Sequence, residues 1–270
     1  MSAISRTMTA RLVNYQRISG RDSQVDIRHL EFVFPEELAV AAPLYQPGDQ
    51  ITLHLPHPRV FAVASSQLEV RNAFHLTVKM NNVIEPDSLS YDELVDLIAR
   101  PIGFSVTPQP HFYLPADARL PIILFAEGVG IAPFRAFIQQ RQWQMASGEN
   151  WLFIGGQYFE NQCSAEDFLY QTEWQRYERD EILTRVNVAF DDRVYMPSLA
   201  EKVDSLRSEL WEWLRLGAVI YQSCSLACSD QLEMALLDLI REQGQFNARE
   251  ATDFLRHLKQ HQRYQRMVYA

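Results

Sequence analysis

The sequence predicts two domains in series, an antiparallel β-barrel followed by a doubly wound, parallel α/β domain. Three observations carry this. The first part of the chain is built of short alternating segments separated by turn clusters. The second part alternates apolar runs with helical periodicities. Between them PIILFAEGVGIAPFRAFIQQR, residues 121–141, reads as buried strand, glycine turn and helix. A chain of 270 residues, 47% hydrophobic, can bury a core in each half, and the boundary is expected near residue 118, giving domains 1–118 and 119–270.

In order, ARLVNYQRI, DIRHLEFVF, the proline-rich YQPGDQITLHLPHP, RVFAVASS and AFHLTVKM read as strands. The alternation of Ile27, Leu30, Phe32 and Phe34 is imperfect but suits a sheet with one solvated face. A helix is expected from Ser90 to Ile98, with Ser90 as N-cap, acids in its first turn and Leu94, Val95, Leu97 and Ile98 apolar. Residues 108–121 read as loop, with HFYLP a brief strand. Beyond the glycine turn, NWLFIGGQY, LTRVNVAF and AVIYQSC read as strands. Between and after them, DFLYQTEWQRYERD, PSLAEKVDSLRSELWEWLRLG as one long helix, and SDQLEMALLDLIREQG read as helices. A last helix spans Asn247 to Lys259, and YQRMVYA ends the chain as strand or tail.

A net charge of −9 argues against nonspecific binding to nucleic acid or an anionic membrane, although RHLKQHQRYQR near the C-terminus is a local basic patch. Cys163, Cys224 and Cys228 make no disulfide framework, and the N-terminal residues lack a signal segment, so reducing cytoplasm is the expected location. No apolar run approaches the roughly 18 residues of a membrane helix. Neither a CxxC nor a neighbouring histidine supports a metal at Cys224 and Cys228, so no metal is expected.

A glycine turn at the carboxyl end of a parallel strand lets a ligand approach backbone, and the next helix offers free N–H groups and a positive dipole end. Gly128 and Gly130 therefore suit an anion or a nucleotide, or simply a change of direction. Glycine is scarce for phosphate-cradling loops, 10 residues in 270.

GRDSQVDIRHLEF with YQPGD, RVFAVASSQLEV, GVGIAPFRAFIQQR, NWLFIGGQYF with DFLYQTEWQRY, LTRVNVAF and RYQRMVYA follow one another over nearly the whole chain. In this the chain resembles the ferredoxin reductase family, and within it the C-terminal reductase module of the sulfite reductase flavoprotein. YQPGD runs almost directly into RVFAVASS, so a compact version is expected, without flavodoxin-like or helical connecting domains. The resemblance implies FAD on a flavin-binding type of barrel, NADH or NADPH on the α/β domain, and electrons passed to an acceptor protein or a small acceptor.

The resemblance also implies site residues. The family's Arg-x-Tyr-Ser stretch, which holds the flavin, is here Arg59, Val60, Phe61 and Ala62. Arg59 would meet the diphosphate, Phe61 would supply aromatic surface without a hydroxyl, and Ala62 stands where a serine faces the hydride-accepting nitrogen. Val63, Ser65 and Ser66 continue that segment. A second flavin anchor falls on PDSLSYDELVDL, where Ser88 and Ser90 lie beside Asp87, Asp92 and Glu93, carboxylates that repel a diphosphate. Gly128, Val129 and Gly130 take the nucleotide turn, beside the extra charge of Glu127. Arg193 and Tyr195 fall at the nucleotide's ribose phosphate, where Asp191 and Asp192 suit a ribose diol better, so NADH is favoured. Cys224 would lie beside the nicotinamide and Tyr269 over the flavin ring, the two positions expected to act in catalysis.

Plainer readings stand beside these: Arg59 as a surface strand-end arginine, Tyr269 as tail packing, the cysteines as inert buried thiols. Taken together, the replacements leave two functions open. One is a flavin-dependent oxidoreductase fed by NAD(P)H; the other is a noncatalytic descendant kept as a binding or assembly module.

Overall fold

The computed structural model describes residues 8–21, 23, 25–39, 42–81, 87–156, 168–189 and 198–269. The chain divides into two compact units, Met1–Leu114 with Ile131–Trp143, and Pro115–Gly130 with Gln144–Ala270.

The first unit holds strands β1 (Met8–Arg17), β2 (Asp26–Val33), β3 (Gln50–Leu53) and β4 (Arg59–Ala62), the single-turn helix α1 (Gln67–Val70), β5 (Ala73–Met80), β6 (Ser88–Leu89), helix α2 (Tyr91–Ala99) and β7 (Ile102–Thr107). The sheet order is β4-β3-β7-β1-β2-β5-β6, antiparallel except for the short β5–β6 pair. A bridge between Val63 and Leu76 and the bond from Ala64 N–H to His75 O at 2.8 Å join the two flanks, so the sheet curls towards a barrel. Its core takes one face of each strand: Leu30 and Phe32, Ile51 and Leu53, Phe61, Phe74 and Leu76, Phe104. Phe74 stacks on Phe32 at 5.0 Å and tilts against Phe104 at 4.8 Å.

Helix α3 (Ala132–Trp143) also packs in this unit. Ala136 enters the barrel core, Arg135 Nη1 donates to Ala64 O at 2.7 Å, and Gln139 Oε1 accepts from Ser66 N at 2.9 Å. HFYLP is a turn rather than a strand. Phe112 N bonds Gln109 O, and the Phe112 ring plugs against Phe134 and Phe137, which leaves the segment no sheet partner.

The second unit contains β8 (Ile122–Glu127), β9 (Asn150–Gly155), α4 (Gln171–Arg179), β10 (Arg185–Ala189), α5 (Leu199–Ser205), α6 (Arg207–Arg215), β11 (Val219–Ser225), α7 (Leu226–Gln243), α8 (Ala248–Gln260) and β12 (Tyr264–Tyr269). Its five strands are parallel in the order β10-β9-β8-β11-β12, so chain direction across the sheet reverses between β8 and β11. Every residue of β8 and β9 is buried, which is why both read as continuous apolar runs. The expected single helix over residues 197–217 is two, α5 and α6, broken at Leu206. Ser205 Oγ bonds back to Lys202 O at 2.9 Å and competes with the helical ladder there. The described residues end in a strand, with β12 pairing β11 from Ile220↔Tyr264 to Ser225↔Tyr269.

Candidate cofactor sites in the two units

In the first unit most of the expected flavin-holding residues are buried, and their polar groups are largely bonded within the protein. Arg59 is 3% exposed, a strand-end arginine turned inward, not a surface one. Its Nη2 meets Glu93 Oε1 at 2.9 Å. Glu93 is the N3 residue of α2: its Oε2 accepts from Ser90 N at 2.8 Å, while Ser90 Oγ accepts from Glu93 N at 3.2 Å, a reciprocal capping box. One carboxylate thus binds both a guanidinium and a helix-terminal amide. Arg59 Nε is buried with no hydrogen-bond partner.

Phe61 and Val63 belong to the barrel core, and Ala62 beside them is half-buried. Ser65 Oγ joins a closed network: it pairs with Tyr45 Oη at 2.9 Å and accepts from His75 N at 2.9 Å, while Tyr45 Oη also donates to Ala73 O. Burial is the main cause pushing the Tyr45 phenol far above its usual range, so it stays a donor. Ser66 caps α1 and its Oγ bonds Gln140 Oε1 at 2.5 Å. Ser88 is buried on β6.

Outside that segment, His29, Glu31 and His75 form a cluster whose ligand-type atoms lie within 4.8 Å of one another. His29 and His75 are both lowered to about 3, by burial first and then by the Arg135 cation. Arg135 Nη1 stands 3.4 Å from His75 Nδ1, so a positive charge already occupies the place beside these neutral rings.

In the second unit the glycine turn is explained first by backbone. Gly128 has φ +53°, and a side chain at Gly130 would meet Ser223 O at 2.0 Å, so the turn closes directly onto β11. Val129 between them is half-buried. Glu127, at the end of β8, is 8% exposed, and its Oε2 accepts from Ser225 N at 2.8 Å. Ser225 is the N-cap of α7, so the carboxylate sits at the positive end of an 18-residue helix. The Tyr269 hydroxyl donates to Glu127 O from two strands away. Burial and then the Glu127 charge hold its phenol well above the ordinary range.

Cys224 is fully buried in the core of this unit. Cys228, in the first turn of α7, is pushed up by its hydrogen bond with Cys224 and by burial, which keeps the thiol protonated. A cavity of about 180 Å³ opens at the carboxyl ends of the strands, lined by Glu127, Gly155, Gly156, Ser198, Ser225 and Cys228 among others. Arg193 and Tyr195, with Asp191 and Asp192, lie outside the described residues. The basic C-terminal patch is largely committed internally: Lys259 and Arg266 both pair with Glu233, at 2.6 and 3.0 Å, and Arg263 Nη2 donates to Leu214 O and Ala218 O.

Glu93 and Glu127 hold partners distant in sequence. The Ser90–Glu93 spacing signals a cap, but nothing local ties Glu93 to Arg59 or Glu127 to Ser225.

Residues 124–194 match the family described as oxidoreductase NAD-binding domain. The sulfite reductase [NADPH] flavoprotein alpha-component of Yersinia pestis bv. Antiqua is 37% identical over 235 residues, 78% of this chain and 36% of that protein. Those of Photorhabdus laumondii subsp. laumondii and Cronobacter sakazakii are each 38% identical, over 226 and 230 residues, with the same coverage of 78% and 36%. The chain therefore spans about a third of the length of these curated relatives.

Proposed function

We propose that this chain, which belongs to the ferredoxin reductase family, is an NAD(P)H-dependent oxidoreductase module that feeds electrons through a flavin to a protein or small acceptor. The observation that carries this is the second unit. Its parallel order reverses at β8 and β11, and a cavity lies just beyond the carboxyl ends of those strands, the placement that suits a nicotinamide nucleotide. The relatives, named as NADPH flavoproteins, support the same reading. NADH over NADPH is the finer proposal, supported by Asp191 and Asp192, whose paired carboxylates accept ribose hydroxyls and repel a 2′-phosphate.

The flavin would supply the redox chemistry, and FAD is the flavin we propose. Its diphosphate does not fit the first unit as arranged, because Arg59 and the α2 amide that would receive it already hold Glu93. That observation favours a second reading, a reductase-like domain kept for binding or assembly. One experiment separates them. Purified chain should show a flavin absorbance band, with or without added FAD, and bleach anaerobically with NADH faster than with NADPH. A colourless protein that takes up neither FAD nor FMN at micromolar concentration sinks the reductase reading.

A further inference from the structure

An arginine side chain and the first turn of a helix form an oxyanion site wherever they converge: the guanidinium gives directed, charge-assisted donors and the helix gives free amides and a positive end. Arg59 and the nine-residue helix α2 converge in this way. The anion between them is the chain's own, since Glu93 Oε1 takes Arg59 Nη2 at 2.9 Å and Oε2 takes Ser90 N at 2.8 Å. Arg59 is 3% exposed and its Nε is a buried donor without a partner, so the guanidinium has more hydrogen-bonding capacity than one carboxylate uses. The Glu93 side chain is 15% exposed and forms the solvent side of the arrangement.

We propose that Glu93 is a resident anion: it fills an oxyanion subsite made by Arg59 and the N-cap amide of α2, and the subsite accepts a diphosphate-bearing ligand only when Glu93 is removed or turned away. A diphosphate carries more acceptor oxygens than the carboxylate and would also serve Arg59 Nε. The flavin dinucleotide as the ligand rests on the reductase reading above; the anion subsite itself does not.

Inorganic pyrophosphate is the probe, titrated calorimetrically into the full chain. Wild type is expected to bind it no tighter than about 1 mM, and Glu93→Gln about tenfold tighter, because the neutral amide still caps Ser90 while freeing the guanidinium. Arg59→Gln in the Glu93→Gln background should abolish the gain. A gain below threefold in folded Glu93→Gln, or wild-type binding of pyrophosphate below about 100 µM that depends on Arg59, overturns the proposal. Riboflavin and FAD provide a comparison that needs no variant. With the subsite filled, FAD should bind wild type within threefold of riboflavin, and a larger advantage for FAD overturns the proposal. A wild type that binds FAD far better than riboflavin and bleaches with NADH or NADPH keeps the reductase function and removes the resident anion. A colourless wild type beside a tenfold gain in Glu93→Gln does the reverse.

Discussion

The carboxylate of Glu127 accepts the backbone N–H of Ser225 at 2.8 Å, tying the end of β8 to the N-terminus of α7 across the place where the sheet changes direction. An anion at that end of a helix is favourable whether it comes from a ligand or from the chain. Here the chain supplies it. Glu127→Ala should therefore destabilise the protein by about 1–3 kcal/mol, from a lost charged hydrogen bond and an amide left without its acceptor. Glu127→Gln, which keeps an acceptor in the same place, should cost less than half as much. Urea unfolding of the three proteins measures both; equal costs for Ala and Gln would mean that the Ser225 bond contributes nothing.

Tyr269 adds a second tie to the same residue, its hydroxyl donating to Glu127 O. Tyr269→Phe keeps the ring but loses both that bond and the one its hydroxyl accepts from Gly130 N–H, so a cost of about 1–3 kcal/mol is expected. Unchanged stability in Tyr269→Phe would show that the hydroxyl is equally well satisfied by water.

Gly130 is set by packing. A methyl group there would lie 2.0 Å from Ser223 O, a backbone atom of the neighbouring strand that cannot move without shifting β11. Gly130→Ala should cost more than about 3 kcal/mol, or prevent folding of the second unit, whereas Val129→Ala beside it should cost under about 1.5 kcal/mol. A well-folded Gly130→Ala protein with a native melting temperature would remove the close approach of the turn to β11.

These residues show what the sequence made legible. The all-buried runs of β8 and β9 and the Ser90–Glu93 spacing are local patterns, and local patterns survive the absence of coordinates. Glu93 and Arg59 are 34 positions apart, Glu127 and Ser225 are 98 apart, and no periodicity links either pair. Sequence reasoning marked Glu93 and Glu127 as repellent to phosphate, which holds for a free carboxylate. It could not see that each would be placed on the very donors that an anion needs. In the same way HFYLP has the composition of a strand, but Phe112 is drawn off by Phe134 and Phe137, and Ser205 breaks a helix that its neighbours would continue.

The imidazoles of His29 and His75 meet edge to face at 4.8 Å, with Arg135 Nη1 3.4 Å from His75 Nδ1 and Glu31 3.4 Å from His29 Nε2. Both are held at about 3 when folded, against 6.5 when unfolded, so between these values the unfolded chain binds more protons than the folded one. The stability they permit is complete above pH 6.5 and is lost as pH falls from 6.5 towards 3. Down to pH 5 the loss is up to about 2 kcal/mol per histidine, less than the simple sum because the two rings and Arg135 share one environment. Wild type should therefore show a lower urea midpoint at pH 5 than at pH 7, and the double variant His29→Gln, His75→Gln should show a much smaller difference. If the double variant loses as much as wild type over that interval, the acid sensitivity arises elsewhere, and the buried imidazoles do not carry it.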